Sequence, residues 1–458
     1  MSAGKSIPLG WALVPFAVTI TGLVAALLLF HLPLYVGLLA GWLSAVLIAL
    51  CYGKGWRLVG QGTWLGAKST FFVIGILLLI AGVISTWLIS GTVPGLIRYG
   101  IQLVQPQYLV VAAFLLTLAT SFALGTSVGT LSTMGVAIIG MAKVFGLPPA
   151  LVGGALISGA MFGDRMSPVS GTFHLVANMT GTKAEDNYKP MLQTAVPMVL
   201  ICFGLYLWLG YGKASGPLDP LDSPLLVQLQ TYFALPWYVL LPPALVLVLA
   251  LFRVPIRRNL LLGILFGMGL AVFVQKESWA ATLGALAFGY ELKEGTATIL
   301  HGGGVWPMIE QVLLIFCAGM LNGVLEQSGM LQTILQVLIQ RIRTATSLML
   351  STVLLSVAMA LLACNQALSV IVPGRSLRET YAEMGVSSRY LVRSLADSGV
   401  VVSALIPWNL HGILCSTAMG IATGVYFPYA FYLWGSLLLT LLLAVFVRER
   451  QNSDKIDK

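Results

Sequence analysis

"GGALISGAMFGDRMSPVSGTFHLVANMTGT", residues 153–182, sets an Asp-Arg pair, a proline and a run of Ser, Thr, His and Asn inside an apolar, glycine-rich segment. What solvent surrounds that stretch decides how it reads. The chain has 458 residues, 58% of them hydrophobic and 9% charged. A water-soluble domain carries roughly 25% charged residues, far more than this chain can place on a surface. Apolar runs of about 20 residues, the length a bilayer core demands, recur along the chain instead. They include Trp11–Phe30, Pro33–Tyr52, Phe71–Ser90, Met191–Tyr211, Pro236–Phe252, Asn259–Gln275, Met308–Gln327 and Pro428–Val447. The composition predicts an all-α polytopic membrane protein with roughly 10–12 membrane segments. At membrane depth a charge costs roughly 2.5–3.5 kcal/mol even on the lenient insertion scale, so the polar groups of residues 153–182 should line something.

Net charge is +9, but it does not point to nucleic acid, because the basic residues sit at the ends of spans. Lys54 and Arg57, Arg253, Arg257 and Arg258, Arg341 and Arg343, and Arg448 and Arg450 mark cytoplasmic loops under the positive-inside rule. Both termini are then expected in the cytoplasm, and the acidic connection around Asp219 and Asp222 outside. The first apolar run is too long for a signal-peptide core and is followed at once by a second, so it reads as an uncleaved span. The cysteines Cys51, Cys202, Cys317, Cys364 and Cys415 show no paired spacing and read as helix-packing residues. The sequence carries no HExxH or P-loop pattern, which argues against an enzyme and against an ATP-driven pump. No cofactor is expected; the lipid bilayer and transported ions are the expected partners.

Working outward, the chain repeats itself. "SGTVPGLIRYGIQLV" from Ser90 resembles "SGMLQTILQVLIQRI" from Ser328, and "GLPPALVGGAL" from Gly146 resembles "GVSSRYLVRSL" from Gly385. Pro168 aligns with Pro407 at an offset of 239 (407 − 168). The basic loop follows the second helix in the first half and the first helix in the second half, so equivalent helices run in opposite senses. Such inverted repeats belong mostly to secondary transporters, whose site lies where the repeats meet. The expected organisation is a first repeat over 1–211, an extracytoplasmic linker over 212–235, a second, inverted repeat over 236–447 and a cytoplasmic tail over 448–458.

Each repeat is interrupted by small and polar residues. The breaks are "SFALGTSVGT" (Ser121–Thr130), the opening stretch, "LACNQALSVIVPGR" (Leu362–Arg375) and "LADSGVVVSALIPWNLHG" (Leu395–Gly412). Thr126 and Ser127 align with Asn365 and Gln366, and Gly125, Gly129, Pro168 and Pro407 mark the helix breaks. Unwound backbone at membrane depth is tolerated only inside protein or beside a cavity. Its freed carbonyls suit a dehydrated cation, and half-helix N-termini suit an anion. Among acids in apolar context, Glu310 and Glu326 lie near span ends, whereas Asp164 and Asp397 lie at breaks and are the functional candidates. The competing reading for Asp164 is an ion pair with Arg165, Arg375 or Arg393. His174 and His411 fall in breaks and are candidate proton carriers, or hydrogen-bonded structural residues.

At these segments the sequence resembles the NhaC family of Na⁺/H⁺ antiporters, within the ion transporter superfamily. The residues that carry the resemblance are "FALGTSVGT", "GALISGAMFGDRMSPVS", "ACNQALSVIVPGR", "LADSGVVVSALIPWN" and "VYFPYAF". The resemblance implies a cell-membrane exchanger working by alternating access, with re-entrant hairpins and a transport domain moving on a scaffold. It also makes a homodimer an expected state. Na⁺ and H⁺ would compete for a buried carboxylate, with Asp164 and Asp397 in that role. Thr126, Ser127, Ser167, Ser170, Thr172, Asn365, Gln366, Ser403 and Asn409 would supply neutral oxygens to the cation or substrate. The sequence departs from the family pattern at Gly171 and at Asn365, where relatives carry acids. That departure raises an alternative: a Na⁺- or H⁺-coupled carrier of a small organic solute, an amino acid or a carboxylate such as malate or lactate.

Overall fold

The computed structural model describes residues 7–30, 32–212, 224–294, 297–340 and 342–456. Arg341, Asp219 and Asp222, which entered the charge reading, lie outside the described residues. The first half contains α1 (Leu9–Leu28), α2 (Tyr35–Cys51), α3 (Trp56–Ile89), α4 (Thr92–Leu103), α5 (Leu109–Leu124), α6 (Ser127–Val144), α7 (Pro149–Met166), α8 (Gly171–Thr180) and α9 (Tyr188–Tyr211). Then come α10 (Pro224–Tyr232), α11 (Leu241–Leu251), α12 (Ile256–Phe273), α13 (Trp279–Phe288) and a hairpin of β1 (Tyr290–Glu294) and β2 (Ala297–Gly302). The chain closes with α14 (Ile309–Gln327), α15 (Met330–Gln340), α16 (Ala345–Leu362), α17 (Gln366–Glu383), α18 (Ser388–Ser394), α19 (Leu410–Met419), α20 (Thr423–Tyr426) and α21 (Phe431–Ile456).

The architecture is all-α and polytopic, as composition predicts. Among the described residues eight helices are long and apolar enough to cross a membrane, or up to eleven if each bent pair is one span. Exposed Leu, Phe and Trp side chains on α1, α3, α9 and α12 are the surface such a protein turns to lipid. Inside, small residues let backbones approach. On α3, Gly62 and Gly66 face Gly319 and Gly323 of α14 so closely that a Cβ on Gly62 would lie 2.8 Å from the Gly323 carbonyl oxygen. This is small-xxx-small packing.

Two pairs of helices recur at one offset. α6 and α17 are both 18 residues long, α8 and α19 both 10, and each pair begins 239 residues apart (366 − 127 and 410 − 171). Left-handed turns recur at the same offset: Gly146 and Gly385 have φ of 66° and 65°, and Gly181 and Gly420 have 69° and 68°.

Three features add to the expectation. The connection after α9 carries α10, with Leu226 and Leu229 buried. Gln275 then clamps its end, donating to the carbonyls of Ala234 at 2.7 Å and Ser90 at 3.0 Å. The stretch 448–458, expected as a tail, is entered by α21 as far as Ile456. The antiparallel β1–β2 hairpin was not anticipated. Beyond it Gly303 and Gly304 thread against α3, with Gly304 N–H donating to Ala81 at 3.2 Å.

Candidate functional site

The site is assembled from helix breaks, and the chemistry of each break is local. Thr126 caps α6 and Asn365 caps α17 with nearly the same backbone, φ −149° and ψ 127° against φ −140° and ψ 124°. Thr126 Oγ1 accepts from Gly129 N–H at 3.3 Å, and Asn365 Oδ1 accepts from Ala367 N–H at 2.8 Å. Each cap is preceded by a left-handed residue, Gly125 at φ 71° and Cys364 at φ 50°. Ser170 caps α8 and Asn409 caps α19 in the same way, accepting from Thr172 and His411 N–H respectively. Within each half the two breaks touch. A Cβ on Gly125 would lie 2.7 Å from Ser170 N, and in the second half Leu410 N–H donates to the Cys364 carbonyl at 2.8 Å.

These breaks converge on one carboxylate. Asp164, in the last turn of α7, is 6% exposed. Gln366, the first residue of α17, donates its amide Nε2 to Asp164 Oδ2 at 2.9 Å. His411 Nε2 stands 3.9 Å from the same oxygen and 2.9 Å from Ser127 Oγ, at the first residue of α6. Asp164 therefore sits among the first turns of α6, α17 and α19. The N-terminal ends of these helices present partial positive charge, which offsets part of the cost of burying a carboxylate.

Asp397 is placed elsewhere. The helix begun by α18 passes through a π turn over Leu395–Val400, and Asp397 lies in it, fully buried. Its Oδ1 is 2.6 Å from Arg165 Nη2, and neither side chain is exposed. Arg165 also donates to Tyr432 Oη at 2.7 Å, Thr194 Oγ1 at 2.6 Å and the Met191 carbonyl at 3.0 Å, while Thr440 donates to the other carboxylate oxygen of Asp397. The two acids expected to share a role are thus separated: Asp397 holds Arg165, and Asp164 has neither an arginine nor a lysine as ion-pair partner among the described residues. Arg393, the other arginine near this pair, donates to Gln193 Oε1 at 3.0 Å. Arg375 is exposed.

The remaining expected oxygens mostly close the breaks. Ser167 donates to the Phe122 carbonyl, Ser170 to the Asp164 carbonyl and Ser403 to the Val400 carbonyl, each at 2.6 Å. Asn409 Nδ2 donates to the Ala360 carbonyl at 2.8 Å. Thr172 is half-buried, and Gly171 is exposed with open space around it. His174 does not join His411: it is exposed, with Nε2 2.8 Å from the Pro168 carbonyl.

Two cavities reach these breaks. One, of about 470 Å³, is lined by Gly125, Thr126, Gly129, Pro168 and His174 together with Arg253 and Asn259 of the second half. The other, of about 450 Å³, is lined by Pro407, Lys143, His301, Gln311 and Thr417 among others. The first touches the start of α6 and the second its far end. Sequence reasoning missed the hydroxyls around the Arg165–Asp397 pair, Tyr432 and Thr194 on Arg165 and Thr440 on Asp397, because isolated hydroxyls on apolar helices carry no signal until the helices are packed.

Membrane-length helices, duplicated helix breaks and a buried carboxylate between them define a polytopic secondary transporter. The chain belongs to the Na⁺/H⁺ antiporter family, whose model matches residues 7–172 and 159–447. It is 32% identical over 420 residues to the Na⁺/H⁺ antiporter NhaC of Alkalihalophilus pseudofirmus, covering 90% of this chain and 89% of that one. It is likewise 32% identical over 422 residues to the Na⁺/H⁺ antiporter NhaC of Bacillus subtilis, covering 90% and 91%. The malate-2H⁺/Na⁺-lactate antiporter of Bacillus subtilis is 28% identical over 403 residues, covering 87% and 86%. The chain is a multi-pass antiporter of the cell membrane and not an enzyme.

Proposed function

We propose that the chain exchanges Na⁺ for H⁺ by alternating access, with Asp164 binding the two ions in turn. The observation that carries this reading is the placement of Asp164: a buried carboxylate at a helix break, held by Gln366 and His411 rather than by an arginine. A proton or a Na⁺ ion each neutralises it, whereas the bare carboxylate pays the membrane cost of a charge. Only the occupied site then crosses, and the two ions exchange because they compete for one group. Ser127, Gln366 and His411 are the residues that tune that competition. The two cavities at opposite ends of α6 serve as vestibules to the two membrane faces, the repeats over 1–211 and 236–447 running in opposite senses with both termini in the cytoplasm.

A second reading has its own support. The cavity of about 470 Å³ beside Thr126 and Gly129 far exceeds a bare cation and carries Arg253 on its lining with no acid, and a relative is named for malate and lactate exchange. On this reading a small organic carboxylate enters with the coupling ion.

Purified protein in liposomes separates the two. An imposed Na⁺ gradient should drive protons across the membrane, read by an internal pH dye, and Asp164→Asn should abolish that flux at unchanged expression. Absence of Na⁺-driven proton movement, together with accumulation of labelled malate or lactate, would replace the first reading with the second.

A further inference from the structure

We infer that the Arg165–Asp397 ion pair is a positioning device for the ion-binding carboxylate. The inference rests on the reading of Asp164 as the coupling group. Arg165 and Asp164 are consecutive at the end of α7, so whatever fixes one guanidinium also fixes the neighbouring carboxylate. Arg165 spends its fork on Asp397, Tyr432, Thr194 and the Met191 carbonyl, tying the end of α7 to α9, α21 and the π turn. The π turn returns the connection. It contains Asp397 and ends at Val400, whose carbonyl accepts from Gln366 Nε2 at 3.1 Å, the same nitrogen that donates to Asp164. Ser369, one turn into α17, donates to the Gly399 carbonyl of that π turn at 2.7 Å. The contacts form a closed circuit: Asp164 to Arg165 through the chain, Arg165 to Asp397, the π turn to Val400, Val400 to Gln366, and Gln366 back to Asp164.

Two physical arguments separate positioning from simple helix glue. A buried ion pair is a poor source of stability, since desolvation offsets its Coulombic gain, but a multidentate guanidinium fixes orientation tightly. A π turn is a local irregularity that recurs at functional sites. Here the Val400 carbonyl that ends it accepts both Gln366 and Ser403.

The test uses full-length protein in liposomes, with Na⁺-dependent proton flux and thermal stability measured on the same preparations. Asp397→Glu keeps the charge but pushes Arg165 by one methylene. The double variant Arg165→Met/Asp397→Leu removes both charges without leaving one buried alone, and decides the question if the Glu variant does not fold. Positioning predicts that the half-saturating Na⁺ concentration rises about 10-fold, as when the groups that orient an ion's ligands are disturbed, while the maximal rate is little changed. An unchanged half-saturation with lowered thermal stability overturns the inference in favour of helix packing. Complete loss of flux at saturating Na⁺ in a folded double variant overturns it differently, by making Asp397 an ion carrier. Retained exchange in Asp164→Asn would sink the reading of the site itself, whatever the pair variants do.

Discussion

Gln366 and Asp164, 202 residues apart in sequence, are joined by a 2.9 Å hydrogen bond that links the start of α17 to the end of α7. The same amide nitrogen donates to Val400 at 3.1 Å, so Gln366 orients the carboxylate and is itself oriented. Gln366→Leu keeps most of the volume and removes both bonds. It should raise the half-saturating Na⁺ concentration about 10-fold and cost about 1 kcal/mol of stability. Flux titration in liposomes and thermal melting in detergent measure the two effects separately.

Ser127 and His411 form the second arm of the cluster, with 2.9 Å between Oγ and Nε2. Because each residue completes the other's contact with the Asp164 region, their effects on exchange should be coupled. A cycle of Ser127→Ala, His411→Ala and the double variant is expected to give an interaction energy of about 1 kcal/mol in half-saturating Na⁺. Strict additivity would show that Ser127 does not act through His411.

The matched left-handed positions before α6 and α17 should respond unequally. Gly125 has φ 71°, and a Cβ there would meet Ser170 N at 2.7 Å, so Gly125→Ala combines backbone strain with a backbone clash. It should destabilise by about 1–3 kcal/mol and abolish exchange. Cys364 already carries a side chain at φ 50°, and Cys364→Gly relieves about 1 kcal/mol of left-handed strain. Its loss of buried sulfur contact offsets part of that gain, so its melting temperature should stay within a few degrees of the parent while exchange persists.

Helix contact is tested away from the ion site. A Cβ on Gly319 would lie 2.6 Å from the Gly66 carbonyl oxygen, within the α3–α14 packing. Gly319→Val should cost about 1–3 kcal/mol by overpacking, read as a lowered melting temperature. Half-saturation for Na⁺ should not move in the protein that remains folded.

Much of this protein was legible in its sequence because the relevant physics is local. A chain with 9% charged residues can only live in lipid, and a Gly-Thr-Ser or Cys-Asn-Gln run can only break a helix and cap the next. The offset that aligns Pro168 with Pro407 reappears as matched helix lengths and matched left-handed turns. The hairpin over Tyr290–Gly302 was illegible because its strands are short and lie between long apolar runs that dominate any reading by period.

What the tertiary structure alone decided is the division of labour among the charges. Asp164 and Arg165 are neighbours in the chain, but successive helical side chains point about 100° apart. One therefore faces Gln366 and His411 while the other faces Asp397. Sequence offered Arg165, Arg375 and Arg393 as partners for Asp164 with nothing to choose among them, since pairing depends on which helix faces meet. Packing α7 between the π turn and α9 made that choice. It joined Arg165 to the other aspartate and left Asp164 at the junction of the two halves.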